Sequence, residues 1–400
     1  MSAKDELKKA GVQFIVAPEQ PESTTLIDRL VALGFTFRLN LCGGHVEVNG
    51  KPLDDITMAE IRVALRDVGL AKKIKAAEDA YLAEARRNSY HPVREYLDGL
   101  VWDGADHITT LTGYMHSSDP PIVYSTGVKA PLHHVYLYRW LIGAVAKAYT
   151  GTQNPMLVWD GPQGCGKSTA ARWLCPLATY FIEGAINVSD KDSLVRLASA
   201  WVWEVAELDA TTRKADQSAL KDFITKEVIT VRKSYGRSDF KGPALASLIG
   251  TLNNTSGFLA DESGSRRFMI TKLDRIDLRY QEIDVNQVWA QAVAAYRAGE
   301  AWQLRGEEAA LQAEHNERYE VETVLTDWLD RSFEFGAGEG YDTPYTLADI
   351  IAAMEVDGFK ISGSERSQAM ELARVLKRKH CQVDHTRDGN RWFGLFKRPR

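Results

Sequence analysis

The 400-residue chain is poor in cysteine, has no long apolar run and carries no strong excess of one charge. Its four cysteines, Cys42, Cys165, Cys175 and Cys381, are far apart and form no CxxC pair. That spacing argues against a disulfide framework or a zinc ribbon and fits a reducing cytosol. No apolar run approaches the ~20 residues needed to cross a bilayer. The opening MSAKDELKKAGVQF lacks the apolar centre of a secretory leader. A cytoplasmic location without membrane attachment is therefore expected. There is no internal repeat. Hydrophobic residues at 44% and charged residues at 26% exclude disorder as the dominant state. The length suggests two or three domains.

The formal charge of −5 at first sight argues against a nucleic-acid partner. The average hides an uneven distribution. Residues 360–400 hold eleven basic and four acidic residues, a local +7 that leaves −12 for the rest. A second basic patch, residues 213–241, carries eight basic and four acidic residues. An acidic body with basic patches binds nucleic acid at chosen places.

Four regions follow from the patterning. Residues 1–80 read as a small α+β unit. Phe35–Asn40 alternates, His45–Pro52 is a strand with an Asn-Gly turn, and a helix follows Asp55 with Thr57 as the expected N-cap. Residues 81–150 read as a helical collar or oligomerisation region, with apolar residues at helical spacing from Tyr136 to Tyr149. Residues 151–335 alternate strands and helices, the pattern of an α/β parallel sheet. The strands are expected at Met156–Trp159, Ala200–Val205, Ala244–Leu252 and Arg267–Ile270. Gly336–Gly340 reads as a flexible joint, and 340–400 as a helix–helix–hairpin unit, the outline of a winged helix.

Gly161, Pro162, Gln163, Gly164, Cys165, Gly166, Lys167 and Ser168, followed by Thr169, fit GxxxxGK[ST] between a strand and a helix. Glycines let the backbone wrap phosphate oxygens, Lys167 would reach the β and γ phosphates of ATP, and the Ser168 hydroxyl would ligate Mg²⁺. An ATP hydrolase also needs an acid at a neighbouring strand end. Glu207 is the candidate for polarising the attacking water, with Glu204 or Asp209 holding the water shell of the metal. Asn253, at the tip of the third strand, would hydrogen-bond the γ-phosphate or the water; otherwise Asn253-Asn254 is a self-bonded turn. Arg266 and Arg267 are costly to bury without an anion. One of them would serve as an arginine finger, which in trans places the site between subunits; otherwise both pair with Asp261 or Glu262.

Two segments suit DNA. Val228–Tyr235 has strand propensity, and Lys226, Arg232, Lys233 and Arg237 around Tyr235 would make a basic hairpin for single strands. In the tail, Arg374, Lys377 and Arg378 lie on a helix and Arg391 on the wing, placed for duplex DNA. The structural alternative for both is a solvated basic face.

Read in order, Asn88–Leu97, Trp102-Asp103-Gly104, the glycine loop, Glu204–Leu208, Val231–Arg237, Gly250–Asn253 and Gly264–Phe268 resemble the virulence-associated protein E family. Its members are P-loop ATPases of phages, prophages and satellite elements, related to superfamily 3 replicative helicases. The resemblance covers about residues 85–275. It implies an AAA+-like core, homo-hexameric rings and ATP-driven unwinding of DNA. It supports Glu207 as the Walker B acid and metal partner, Asn253 as sensor and Arg266 or Arg267 as finger. Here the acidic motif is Glu-x-x-Glu rather than Asp-Glu. About 80 residues precede the matched region, too few for the primase domain many relatives carry, so a separate primase or host replication proteins are implied as partners. The expected function is a replicative DNA helicase. A DNA-binding initiator without motor activity, or a signalling or defence ATPase, are the alternatives.

Overall fold

The computed structural model describes residues 22–206, 208, 214–232, 239–253, 259, 265–319, 324–338, 341–359, 364–386 and 389–398. Glu207, Asp209, Lys233, Tyr235 and Arg237 lie outside them, as do the side chains of Arg232 and Arg378.

The N-terminal unit begins with α1 (Glu22–Ala32), whose Leu26, Ile27 and Leu30 face inward. Strands β1 (Phe37–Asn40) and β2 (His45–Val48) pair antiparallel, and β3 (Lys51–Pro52) folds back on β2. Asn49 and Gly50 between them both have positive φ, 52° and 77°, which the tight Asn-Gly hairpin turn requires. Helix α2 (Asp55–Asp67) is capped by Asp54, whose carboxylate accepts from Thr57 N at 2.7 Å. The expected Thr57 cap is therefore replaced by a residue three positions earlier, because a carboxylate there already satisfies the third helical N–H. Helix α3 (Ile74–Arg87) packs Tyr81 on Phe37 at 4.9 Å, and β4 (Ser89–Tyr90) closes the sheet beside β1.

Next come α4 (Pro92–Asp98), α5 (His107–Gly113), β5 (Met115–His116), a small ribbon β6 (Ile122–Val123) and β7 (Lys129–Ala130), and α6 (Leu132–Thr150). Helix α6 is buried on nearly every face from Leu132 to Ala148. A helix apolar all round belongs inside a core, and Trp140 Nε1 donates to the Leu248 carbonyl at 3.0 Å. Helix α6 thus shares one core with the central sheet.

That sheet contains β8 (Met156–Asp160), β9 (Phe181–Glu183), β10 (Val202–Val205), β13 (Ser247–Leu252) and β14 (Phe268–Lys272). Helix α7 (Lys167–Trp173) follows β8, α8 (Lys191–Ser199) precedes β10, and α9 (Lys214–Ile224) leads to an antiparallel hairpin, β11 (Val228–Arg232) with β12 (Asp239–Pro243). The order is β14-β8-β13-β10-β9, and every pairing is parallel. Leu157, Trp159, Ile249 and Met269 face one core with α6 and α7; Met156, Val158, Leu248 and Ile270 face the other with α8 and α9. Covering both faces explains why these strands read as continuous apolar runs.

Strand β15 (Arg275–Ile276) leaves the sheet to pair with β5, and α10 (Val285–Arg297) and α11 (Glu307–Asn316) complete the middle. In the C-terminal unit, α12 (Val324–Ser332) and β16 (Phe333–Phe335) precede α13 (Leu347–Val356), α14 (Glu365–Arg378), the hairpin β17 (Gln382–Thr386) and β18 (Gly389–Phe393), and β19 (Leu395–Lys397). Strand β16 pairs with β19, and Leu325, Leu329 and Phe333 share a core with Ile350, Leu376 and Trp392. The unit therefore begins near 324, and the Gly336 end of the expected joint packs under the Tyr341 ring. The chain bends at Gly394, φ 86°, between β18 and β19. Among the described residues no helix is long and apolar enough to cross a membrane.

Candidate nucleotide site

The 161–168 loop joins the C-terminal end of β8 to α7. Its glycines are required for separate reasons. Gly164 and Gly166 have φ of 80° and 99°, which favour glycine. A Cβ on Gly161 would collide with the Leu273 carbonyl oxygen. The loop places Gln163, Gly164, Ser168 and Thr169 at the surface, while Lys167 is buried. Lys167 Nζ donates to the carbonyls of Gly161 and Pro162 at 2.8 and 2.9 Å and reaches Asn253 Oδ1 at 3.4 Å. Cys165 Sγ stands 3.7 Å from the same ammonium. The cation rests on its own loop, in the position an incoming anion would draw it from.

Strands β13 and β10 bring the other groups. Asn253 follows the tip of β13, one residue past Leu252, which pairs with Asp160 of β8. Glu204 on β10 is 0% exposed, and neither carboxylate oxygen has a hydrogen-bond partner. Burial pushes its carboxyl above the usual carboxylate range. The hydroxyls of Ser168 and Thr251 stand near enough to oppose that shift, yet neither closes a hydrogen bond. A buried unpaired carboxylate is costly. Beside the Ser168 hydroxyl it offers the oxygen donors a hard divalent cation takes. Among the described residues, no three His, Cys, Asp or Glu side chains converge as a metal cage.

Arg266 and Arg267 are elsewhere. Phe268 of β14 pairs with Met156 and Lys272 with Asp160, so the arginines precede the sheet edge remote from the loop. Four strand steps separate the two ends by about 13 Å. The arginines line a groove of about 690 Å³ with Asn154, Thr225 and Gln312. Gln312 and Asn316 hold the carbonyls of Ser265, Arg266 and Phe268, and Arg267 Nε is buried without a partner. Within one chain these arginines do not meet Lys167, because β14 runs parallel to β8. Of the basic candidates, Lys226 is half-buried at the foot of the β11–β12 hairpin. Arg374 is half-buried, and Lys377 and Arg391 are exposed on α14 and β18.

A model of the virulence-associated protein E-like domain matches residues 97–321, more than half of the chain. The chain belongs to this family. In this VapE-like chain the match spans the glycine loop, all five strands of the parallel sheet and both arginines. No curated protein gives a significant match. Among solved structures, the A form apo structure of the NrS-1 C-terminal region (305–718) is 13% identical, with 94% of this chain and 100% of that chain covered and a TM-score of 0.43. A second apo structure of the region is 14% identical with the same coverage and a TM-score of 0.41. Scores this low carry no argument about function.

The sequence reading of the VapE-like chain missed Thr251, two residues before Asn253 at the expected strand tip. It also missed the strap formed by β5 and β15. Ile276 N donates to the Cys165 carbonyl at 3.2 Å, pinning that strap on the glycine loop. No local pattern announces a partner for 273–277 that lies about 160 residues earlier.

Proposed function

We propose that this VapE-like protein is an ATP-dependent replicative DNA helicase of a phage, prophage or mobile element. Its core would be an AAA+-like P-loop domain of the superfamily 3 type, and its C-terminal unit a winged helix. The observation that carries the reading is the meeting of Lys167, Asn253, Ser168 and Glu204 at one end of a parallel sheet. Ligands of open α/β sheets lie at the carboxyl ends of strands.

Each group has a role in this reading. Lys167 leaves the Gly161 and Pro162 carbonyls for the β and γ phosphates. Asn253 orients the γ-phosphate or the attacking water. Ser168 and Glu204 would hold Mg²⁺, and Glu207, from its sequence position, would polarise the water. When bound, Mg²⁺ supplies charge neutralisation for the triphosphate. The separation of Arg267 and Arg266 from the loop supports a finger acting on the nucleotide of a neighbour, hence a homo-hexameric ring. The β11–β12 hairpin would contact single-stranded DNA, and Lys377 and Arg391 duplex DNA, beside a separate primase or host replication proteins in the cytoplasm.

Lys167→Ala tests the motor. Expected is loss of ATP turnover by at least about 100-fold, together with loss of strand separation on a forked duplex. Unwinding that survives in the variant refutes the reading.

A further inference from the structure

We infer that the ribose and base of the bound nucleotide lie over the strap formed by β5 and β15, with Arg275 as their cationic contact. This rests on the nucleotide-binding reading and adds where the nucleoside goes.

The glycine loop has two flanks with different chemistry. The flank toward β13 and β10 carries Asn253, Thr251 and the buried carboxylate of Glu204. A carboxylate there repels phosphate unless a cation lies between, so this flank suits the terminal phosphate and its metal. A triphosphate whose terminal phosphate occupies that flank must run its α-phosphate end toward the opposite one, the side of β14.

That opposite flank is the strap. After β14 the chain turns over the loop. The Leu273 carbonyl blocks any side chain at Gly161, and Cys165 Sγ stands 3.8 Å from the same oxygen. Ile276 Cβ lies 3.5 Å from where a Cβ of Gly166 would stand. The strap is rigid. Arg275 pairs with His116 and Ile276 with Met115, and Asp274 N and Asp277 N donate to the His116 and Tyr114 carbonyls at 2.8 and 2.9 Å.

Arg275 stands exposed on the strap and Arg279 on the short helical turn that follows it, Leu278–Glu282, and they differ. Arg279 is held by Asp277 through two contacts, at 2.6 and 3.1 Å. Arg275 instead donates to His116 Nε2 at 3.1 Å. A guanidinium that spends only one donor on an imidazole keeps its planar face and remaining N–H groups for a base or ribose. The nucleoside therefore meets a cation already oriented by a fixed backbone ribbon, immediately beside the loop that takes the phosphates.

The test compares ATP with inorganic tripolyphosphate, both with Mg²⁺, by calorimetric titration of the full chain. Tripolyphosphate engages the loop and has nothing to lay on the strap. Arg275→Ala is expected to weaken ATP binding about tenfold, the loss of roughly one cationic stacking contact, and to leave tripolyphosphate within about twofold of wild type. Arg279→Ala, just beyond the strap and committed to Asp277, is expected to change neither. Unchanged ATP affinity in Arg275→Ala overturns the inference. So does an equal loss for both ligands, which would make Arg275 a phosphate contact. Wild-type protein that binds neither ligand overturns the nucleotide reading itself.

Discussion

The Glu204 carboxylate is the most buried acid in the site. It is 0% exposed, it has no hydrogen-bond partner, and burial holds its pKa above the ordinary 4.5. A buried unpaired carboxylate is a liability without a cation beside it. Glu204→Gln keeps the shape and removes the charge, and an unpaired neutral amide is less costly to bury than an unpaired carboxylate. Leaving a buried polar group unpaired costs about 1–3 kcal/mol, so the variant should be more stable than wild type by about that amount at pH 8 in EDTA. The sign with pH is definite. A raised acid pKa means that the folded state holds its proton longer than the unfolded one. Wild-type stability should therefore fall as pH rises from 4.5 through the folded value, and the variant should lack that fall. The difference between the two proteins should be smallest below pH 4.5, where folded and unfolded states both hold the proton. Addition of Mg²⁺ and ATP should reverse the ranking, stabilising wild type and leaving the variant almost unmoved, with turnover lost. Denaturant unfolding below pH 4.5 and at pH 8, with and without Mg²⁺ and ATP, reads all of this. A Glu204→Gln protein that is less stable at pH 8 in EDTA, and gains as much from Mg²⁺ and ATP as wild type, would show a structural carboxylate and refute the metal role.

Two further outcomes test the fold. Lys147 is buried on α6, and burial lowers its pKa from 10.5 to about 8, with Glu227 opposing the shift. The unfolded chain therefore binds more protons between those values, and stability should rise with pH across that window, by at most about 3 kcal/mol; Lys147→Met should abolish this rise and be the more stable protein at pH 7 in denaturant titrations. A chain ending at 339 keeps α12 and β16 but loses the partners of Leu325, Leu329 and Phe333, whereas one ending at 323 removes the whole C-terminal core. The shorter chain should elute as a discrete species with retained ATP turnover, and the longer should aggregate on size exclusion.

How much of this was legible in the residues depends on how local each signal is. The strands Met156–Asp160 and Ser247–Leu252 announced themselves because a parallel strand covered on both faces is apolar throughout. Strand β9 did not, because three residues at a sheet edge leave no pattern. The glycine loop was readable to the residue, since Gly164 and Gly166 adopt conformations that favour glycine and the lysine must follow them. Composition misled where it stood in for contacts. Gly336–Gly340 has the residues of a linker, yet β16 just before it pairs with β19 some sixty residues later, and pairing at that distance leaves no trace in local composition. The same reason hid the strap. Arg275 meets His116 only because β14 ends beside the loop and the chain turns back onto β5. The parallel register also separates in space two features that follow one another in the motif order. Lys167 and Arg267 belong to one ordered motif set, but β14 and β8 run in the same direction, so a residue before one strand and a residue after the other lie at opposite edges. Motif order therefore identifies the chemistry, and strand direction decides whether one chain suffices to perform it. In the proposed reading it does not, and the separation of Arg267 from Lys167 is the physical reason for proposing a second copy at the site.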